Sequence, residues 1–124
     1  MHCNTVLIIE DDRSIRETLK ITLEVEGFSV HVASNGQEGL ALAKQIPRPC
    51  LILLDLMMPV MNGFEFLSLR EKDVAIAHIP VVIVSAFPAE MTDLSAQGFV
   101  KKPINLDLLL KFVEHYCVER KSSS

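Results

Sequence analysis

Cys50-Leu51-Ile52-Leu53-Leu54-Asp55-Leu56-Met57-Met58-Pro59 is the stretch on which the fold turns. Its apolar opening, without polar alternation, reads as a strand covered on both faces, the mark of a parallel sheet. Asp55 closes the run just before a turn, a poor place for packing and a good one for chemistry. Thr5-Val6-Leu7-Ile8-Ile9 is a run of the same kind, and Glu10-Asp11 end it. Three acids at the tips of two parallel strands repel one another unless a cation sits among them. That points to metal-assisted phosphoryl chemistry on Asp55.

Further short runs at Val30–Ala33, Val81–Val84 and Phe99-Val100 complete a set of five predicted strands. Segments of helical spacing separate them. In 13–26 the apolar residues Ile15, Leu19, Leu23 and Val25 fall mostly on one face, Asp12 is placed to cap the start, and Gly27 is a natural stop. A second helix opens with a capping box at Ser34-Asn35-Gly36-Gln37 and ends before Pro47 and Pro49. A third spans roughly 63–72. The last carries a core stripe of Leu106, Leu109, Leu110, Val113 and Cys117, with Asn105 as cap and Ile104 and Leu109 as a hydrophobic staple. Successive βα units joined by right-handed crossovers imply an α/β fold, a doubly wound parallel sheet of five strands. Ligands of such sheets sit beyond the carboxyl ends of the strands, where Glu10-Asp11, Asp55 and Ser85 converge.

Composition narrows the function. The 124 residues suit a single domain over 1–124, with a core over 5–118 and a frayed tail at 119–124, and 49% apolar content predicts a filled interior. A formal charge of −4 argues against a nucleic-acid surface. No apolar run approaches the ~18 residues of a membrane span, and no stretch resembles a secretory leader. Cys3, Cys50 and Cys117 show no metal-ligand spacing, and their odd number predicts free thiols in a reducing cytosol. The expected protein is soluble and cytoplasmic. His2, His31, His78 and His115 share no spacing that suggests a site.

Four features line up in chain order, each at a strand end: Glu10-Asp11, Asp55 ahead of Met58-Pro59, Ser85-Ala86, and Lys102-Pro103. Taken singly, the acidic cluster also fits a helix start favoured by the macrodipole. Ser85 alone fits a loop hydroxyl, and Lys102 alone a solvated lysine. Together, and with Asn62-Gly63, they make the chain resemble a response-regulator receiver domain over about 5–118.

The resemblance implies a flavodoxin-like (βα)5 sheet of strand order 2-1-3-4-5, and it implies roles. Asp55 would be the phosphoacceptor, taking a phosphoryl group from a histidine of a sensor kinase or phosphotransfer protein. Mg²⁺, with Mn²⁺ able to replace it, would be held by Asp11, Asp55 and the backbone carbonyl of Met57, with Glu10 holding a coordinated water. Lys102, the Ser85 hydroxyl and the Ala86 backbone N–H would receive the phosphoryl oxygens. Pro103 would follow a cis peptide bond. Ser85 and Phe99 would form the switch that reports the new charge. On the last helix Leu108 and Phe112 lie off the core stripe, and we expect an exposed patch there for an output protein or a second copy.

Two departures from the family pattern stand out. Only seventeen positions separate Ser85 from Lys102, which predicts a shortened fourth helix over about 87–95. Met57 and Phe87 are apolar where polar groups could orient a hydrolytic water, which predicts a long-lived acyl phosphate.

The protein is expected to signal rather than to turn over a substrate. It could stand alone or be a receiver fragment of a hybrid kinase or longer regulator. No output module follows Val118, so any output would act through another chain or a missing segment. The alternative, a haloacid-dehalogenase-like aspartyl phosphatase, needs an acid where Met57 stands. A flavodoxin-like electron carrier needs a phosphate loop and aromatic flanks that the sequence lacks.

Overall fold

Each continuous apolar run becomes a strand because both of its faces are covered. The computed structural model describes residues 3–86 and 96–117. In chain order the elements are β1 (Thr5–Ile9), α1 (Arg13–Val25), β2 (Ser29–Ala33), α2 (Gly36–Gln45), β3 (Leu51–Asp55), α3 (Gly63–Glu71), β4 (Val81–Ser85), β5 (Gly98–Lys101) and α4 (Leu106–Tyr116). The five strands form one sheet ordered β2-β1-β3-β4-β5, parallel throughout. The expected helix over 87–95 falls outside the described residues, as do the tail and Phe87.

Side chains alternate between two cores, as the period of a strand requires. Leu7, Ile9, Ile52, Leu54 and Ile83 pack under α2 and α3 with Phe66 and Leu67. Val6, Ile8, Leu53, Val82, Val84 and Val100 pack under α1 and α4 with Leu19, Leu23, Leu109 and Val113. Every residue of β3 and β4 is buried, whereas the edge strand β2 is only partly covered.

The helix ends follow from local chemistry. The Asp12 carboxylate accepts from the backbone N–H of Ile15 at 3.1 Å and caps α1. Gly27, at φ 97°, lets the chain turn back, with Gly27 N–H donating to Glu24 O and Phe28 N–H to Leu23 O. Asn105 caps α4 by accepting from Leu108 N–H. The box at α2 sits one residue later than its sequence suggests. Asn35, not Ser34, is the cap and accepts from Glu38 N–H, while Glu38 accepts from the Ser34 N–H and hydroxyl. Glu38, rather than Gln37, is therefore the residue that reaches back across the turn. At α3 the box is complete between Asn62 and Glu65.

Four further expectations need correction. Cys50 and Cys117 are joined in a disulfide, leaving Cys3 as the free cysteine among the described residues. The two lie 67 positions apart but meet because α4 runs antiparallel to β3 and returns to its start. Phe112 is not an exposed anchor. Its ring packs against Gly98 in the slot left by the missing side chain, and it joins the core under α4. Leu108 is exposed as expected, but Leu106, assigned to the core stripe, is exposed as well. Val25 likewise faces solvent at the end of α1.

Candidate functional site

The carboxyl ends of β1, β3, β4 and β5 bring the predicted residues to one edge of the sheet. Asp55 is the last residue of β3, and Glu10 follows β1, its N–H bonded to Ala33 O. Both carboxylates are buried, at 4% and 2% exposure, while the neighbouring Asp11 is exposed. Glu10, Asp11 and Asp55 each place one carboxylate oxygen within 4.8 Å of the others. Lys102 follows β5, where its backbone N–H donates to Ser85 O at 2.8 Å. Its ammonium lies 2.9 Å from Glu10 Oε1 and 3.5 Å from Asp55 Oδ2.

Backbone groups fix these side chains. The Met57 N–H donates to Asp55 Oδ1 at 3.3 Å, and the Asp12 N–H to Glu10 Oε2 at 3.1 Å. Gly63 N–H donates to Leu56 O, and the helix start comes so close that a Cβ on Gly63 would lie 2.5 Å from Asp55 O. Ser85, at the end of β4, is fully buried, and Ala86 beside it is exposed. Phe99 is half-buried against the core under α2 and α3, paired in register with Ile83. The Lys102-Pro103 peptide is cis. Leu108 and Phe112, on α4, are not part of this edge.

Sequence reasoning missed two contributors. Arg16 donates to the backbone carbonyls of Glu10 and Asp11 at 2.9 and 3.3 Å, bracing the acidic turn from α1. Its place one turn into the helix after the acids was the available signal. Val60 sits in the turn after Met58-Pro59 at φ 67°, a left-handed conformation unfavourable for a β-branched residue.

The electrostatics are those of a site short of positive charge. Burial raises the Glu10 carboxyl to about 7, against the hydrogen bond from Lys102. Burial also raises Asp55, against the charge of Lys102. For Lys102 burial alone would lower the pKa, but the bond and charge of Glu10 and the charge of Asp55 together raise it. One ammonium thus faces two buried carboxylates, with a third beside them. Hard oxygen donors with uncompensated charge fit a small divalent cation.

A family model described as "Response regulator receiver domain" matches residues 6–114. The chain belongs to the response-regulator receiver family. Protein PilH of Pseudomonas aeruginosa is 34% identical over 113 residues, which cover 87% of this chain and 93% of that one. The DNA-binding dual master transcriptional regulator RpaA of Synechocystis sp. is 36% identical over 110 residues, 85% of this chain and 45% of that protein. The receiver spans about half the length of several relatives it matches, among them RpaA and YkoG of Bacillus subtilis. Among solved structures, chemotaxis protein CheY4 of Vibrio cholerae superposes with a TM-score of 0.82 at 31% identity, covering 92% of this chain and 98% of that one. The family places the receiver in two-component signalling, whose domains typically use Mg²⁺. Among the described residues no helix is long and apolar enough to cross a membrane.

Proposed function

We propose that this receiver accepts a phosphoryl group on Asp55 from a phosphohistidine of a sensor kinase or phosphotransfer protein. The convergence of buried Asp55 with Glu10, Asp11 and Lys102 at one sheet edge carries this reading. An Asp55 carboxylate oxygen forms the bond to phosphorus as the phosphorus–nitrogen bond to histidine breaks, leaving an acyl phosphate and a free imidazole. The Met57 N–H on Oδ1 holds the carboxylate in one orientation for that attack.

Asp11, Asp55 and the Met57 carbonyl would hold Mg²⁺ or Mn²⁺, with Glu10 on a bound water. When bound, the ion neutralises charge on the phosphoryl oxygens and orients the donor. Lys102 leaves the carboxylates for a phosphoryl oxygen, and the Ser85 hydroxyl and Ala86 N–H serve the others. Drawing Ser85 toward that charge opens space for Phe99 to turn inward, which changes the surface offered to an output protein or a second copy. The chain so described acts in the cytoplasm as a switch and does not turn over a substrate.

Incubation with a small-molecule phosphodonor and Mg²⁺, followed by intact mass, tests the assignment. The wild-type chain should gain one phosphoryl group and Asp55→Asn none. Equal labelling of both would reject Asp55 as the acceptor.

A further inference from the structure

Three cysteines from distant parts of the chain meet at the amino-terminal edge of the sheet, opposite the acidic site. Cys50 immediately precedes β3, and Cys117 caps the end of α4. Their disulfide joins Cα atoms 5.8 Å apart. Cys117 is fully buried, whereas Cys50 and Cys3 are half-buried. The Cys50 sulfur lies 3.5 Å from the carbonyl oxygen of Cys3 and 3.1 Å from that of Thr5. A disulfide sulfur has no proton to donate, so these are contacts that seat Cys50 against the chain entering β1. The Cys3 thiol points to Arg48 O at 3.6 Å. Cys3 and Cys50 line one open cleft of about 600 Å³, with Arg48, His78 and Tyr116 around it.

Here the free Cys3 opens onto the same cleft as Cys50, the more accessible half of the bond, while Cys117 is buried. Exchange proceeds by attack on one sulfur with expulsion of the other, so access to Cys50 decides whether this bond opens.

We propose that Cys3, Cys50 and Cys117 form a thiol–disulfide exchange site that takes a dithiol reductant. The Cys3 thiolate attacks the Cys50 sulfur. A Cys3–Cys50 bond forms, the Cys50–Cys117 bond breaks, and Cys117 leaves as a thiolate that takes up the proton Cys3 gave to water. This step is redox-neutral. An external dithiol then attacks the Cys3–Cys50 bond in the cleft and is oxidised to its disulfide, returning Cys3 and Cys50 as thiols. The result is a last turn of α4 no longer tethered to the start of β3.

The oxidised full chain, treated with limiting dithiothreitol, acid-quenched, alkylated with N-ethylmaleimide and mapped by peptide mass, tests the proposal. Before reduction, Cys3 alone should be alkylated. A Cys3–Cys50 peptide should appear early and decay, and Cys3→Ser should slow opening of the Cys50–Cys117 bond about tenfold. Cys3→Ala should behave as Cys3→Ser does, and both should keep the wild-type circular dichroism. In Cys117→Ser, the oxidant diamide should form the Cys3–Cys50 bond directly. Opening at the wild-type rate in Cys3→Ser, or no Cys3–Cys50 peptide in either experiment, overturns the proposal.

Discussion

Lys102 is held closer to Glu10 than to Asp55, at 2.9 Å against 3.5 Å. The cation of the resting site is therefore shared unequally, and the better-buried acid has the larger share. Removing the Glu10 charge should let the ammonium settle on Asp55 and compete with a divalent ion there. Glu10→Gln is expected to weaken Mg²⁺ binding about tenfold, as loss of groups supporting a metal site commonly does. Calorimetric titration reads this directly, and an unchanged affinity would remove Glu10 from the cation site.

The same acid sets a pH dependence. With its folded pKa raised from 4.5 to about 7, Glu10 holds its proton more tightly in the folded chain than in the unfolded one. Between those values the folded state binds more protons, so its contribution to stability falls as pH rises. Glu38 and Asp73, whose pKa values are lowered, act in the opposite sense and only below the ordinary carboxylate range. Without divalent ions, urea midpoints should drop between about pH 5 and about pH 8, and Glu10→Gln should flatten that decline. A midpoint that rises across this window would contradict the assignment.

Gly63 leaves no room for a side chain, since a Cβ would lie 2.5 Å from Asp55 O and 2.7 Å from Leu56 Cα. Both neighbours are backbone and cannot rotate away. Gly63→Ala should cost about 2 kcal/mol of folding stability. It should also slow phosphorylation by small donors, because the strand end carrying Asp55 must shift. A chemical-denaturation curve and a labelling time course check the two effects separately.

Val60 holds a left-handed backbone while largely open to solvent, at 74% exposure. Packing gives it no return for that strain. Val60→Asn should raise stability by about 1 kcal/mol, asparagine tolerating this conformation far better. Unaltered or lower stability would mean that the valine makes contacts which offset its strain.

Met57 is exposed at the mouth of the site and has no group to orient a water. Met57→Asn should shorten the lifetime of the phosphorylated chain several-fold, followed by loss of the phosphoryl mass over time. Equal lifetimes would place the control of hydrolysis elsewhere.

The sheet and the acidic edge were legible because they rest on local signals. Uninterrupted apolar runs gave the strands, and acids at their ends gave the edge at which Glu10, Asp11 and Asp55 meet. Contacts that close across the fold were not legible. Nothing in the spacing of Cys50 and Cys117 announces that α4 returns to the start of β3. Periodicity put Phe112 outside and Leu106 inside, because a helical stripe takes no account of a glycine on the facing strand. Arg70 is buried and donates twice to Ile79 O, tying α3 to the irregular chain before β4, a contact that no local sequence pattern announces.

The slot at Gly98 has a consequence that reaches beyond this molecule. A methyl group there would sit 2.5 Å from the Phe112 ring, so bulk at one position excludes bulk at the other. Among relatives that keep this strand and helix in register, the two sites should trade size. An alanine or serine at the first should accompany a smaller side chain at the second, a reciprocity that aligned sequences alone would reveal.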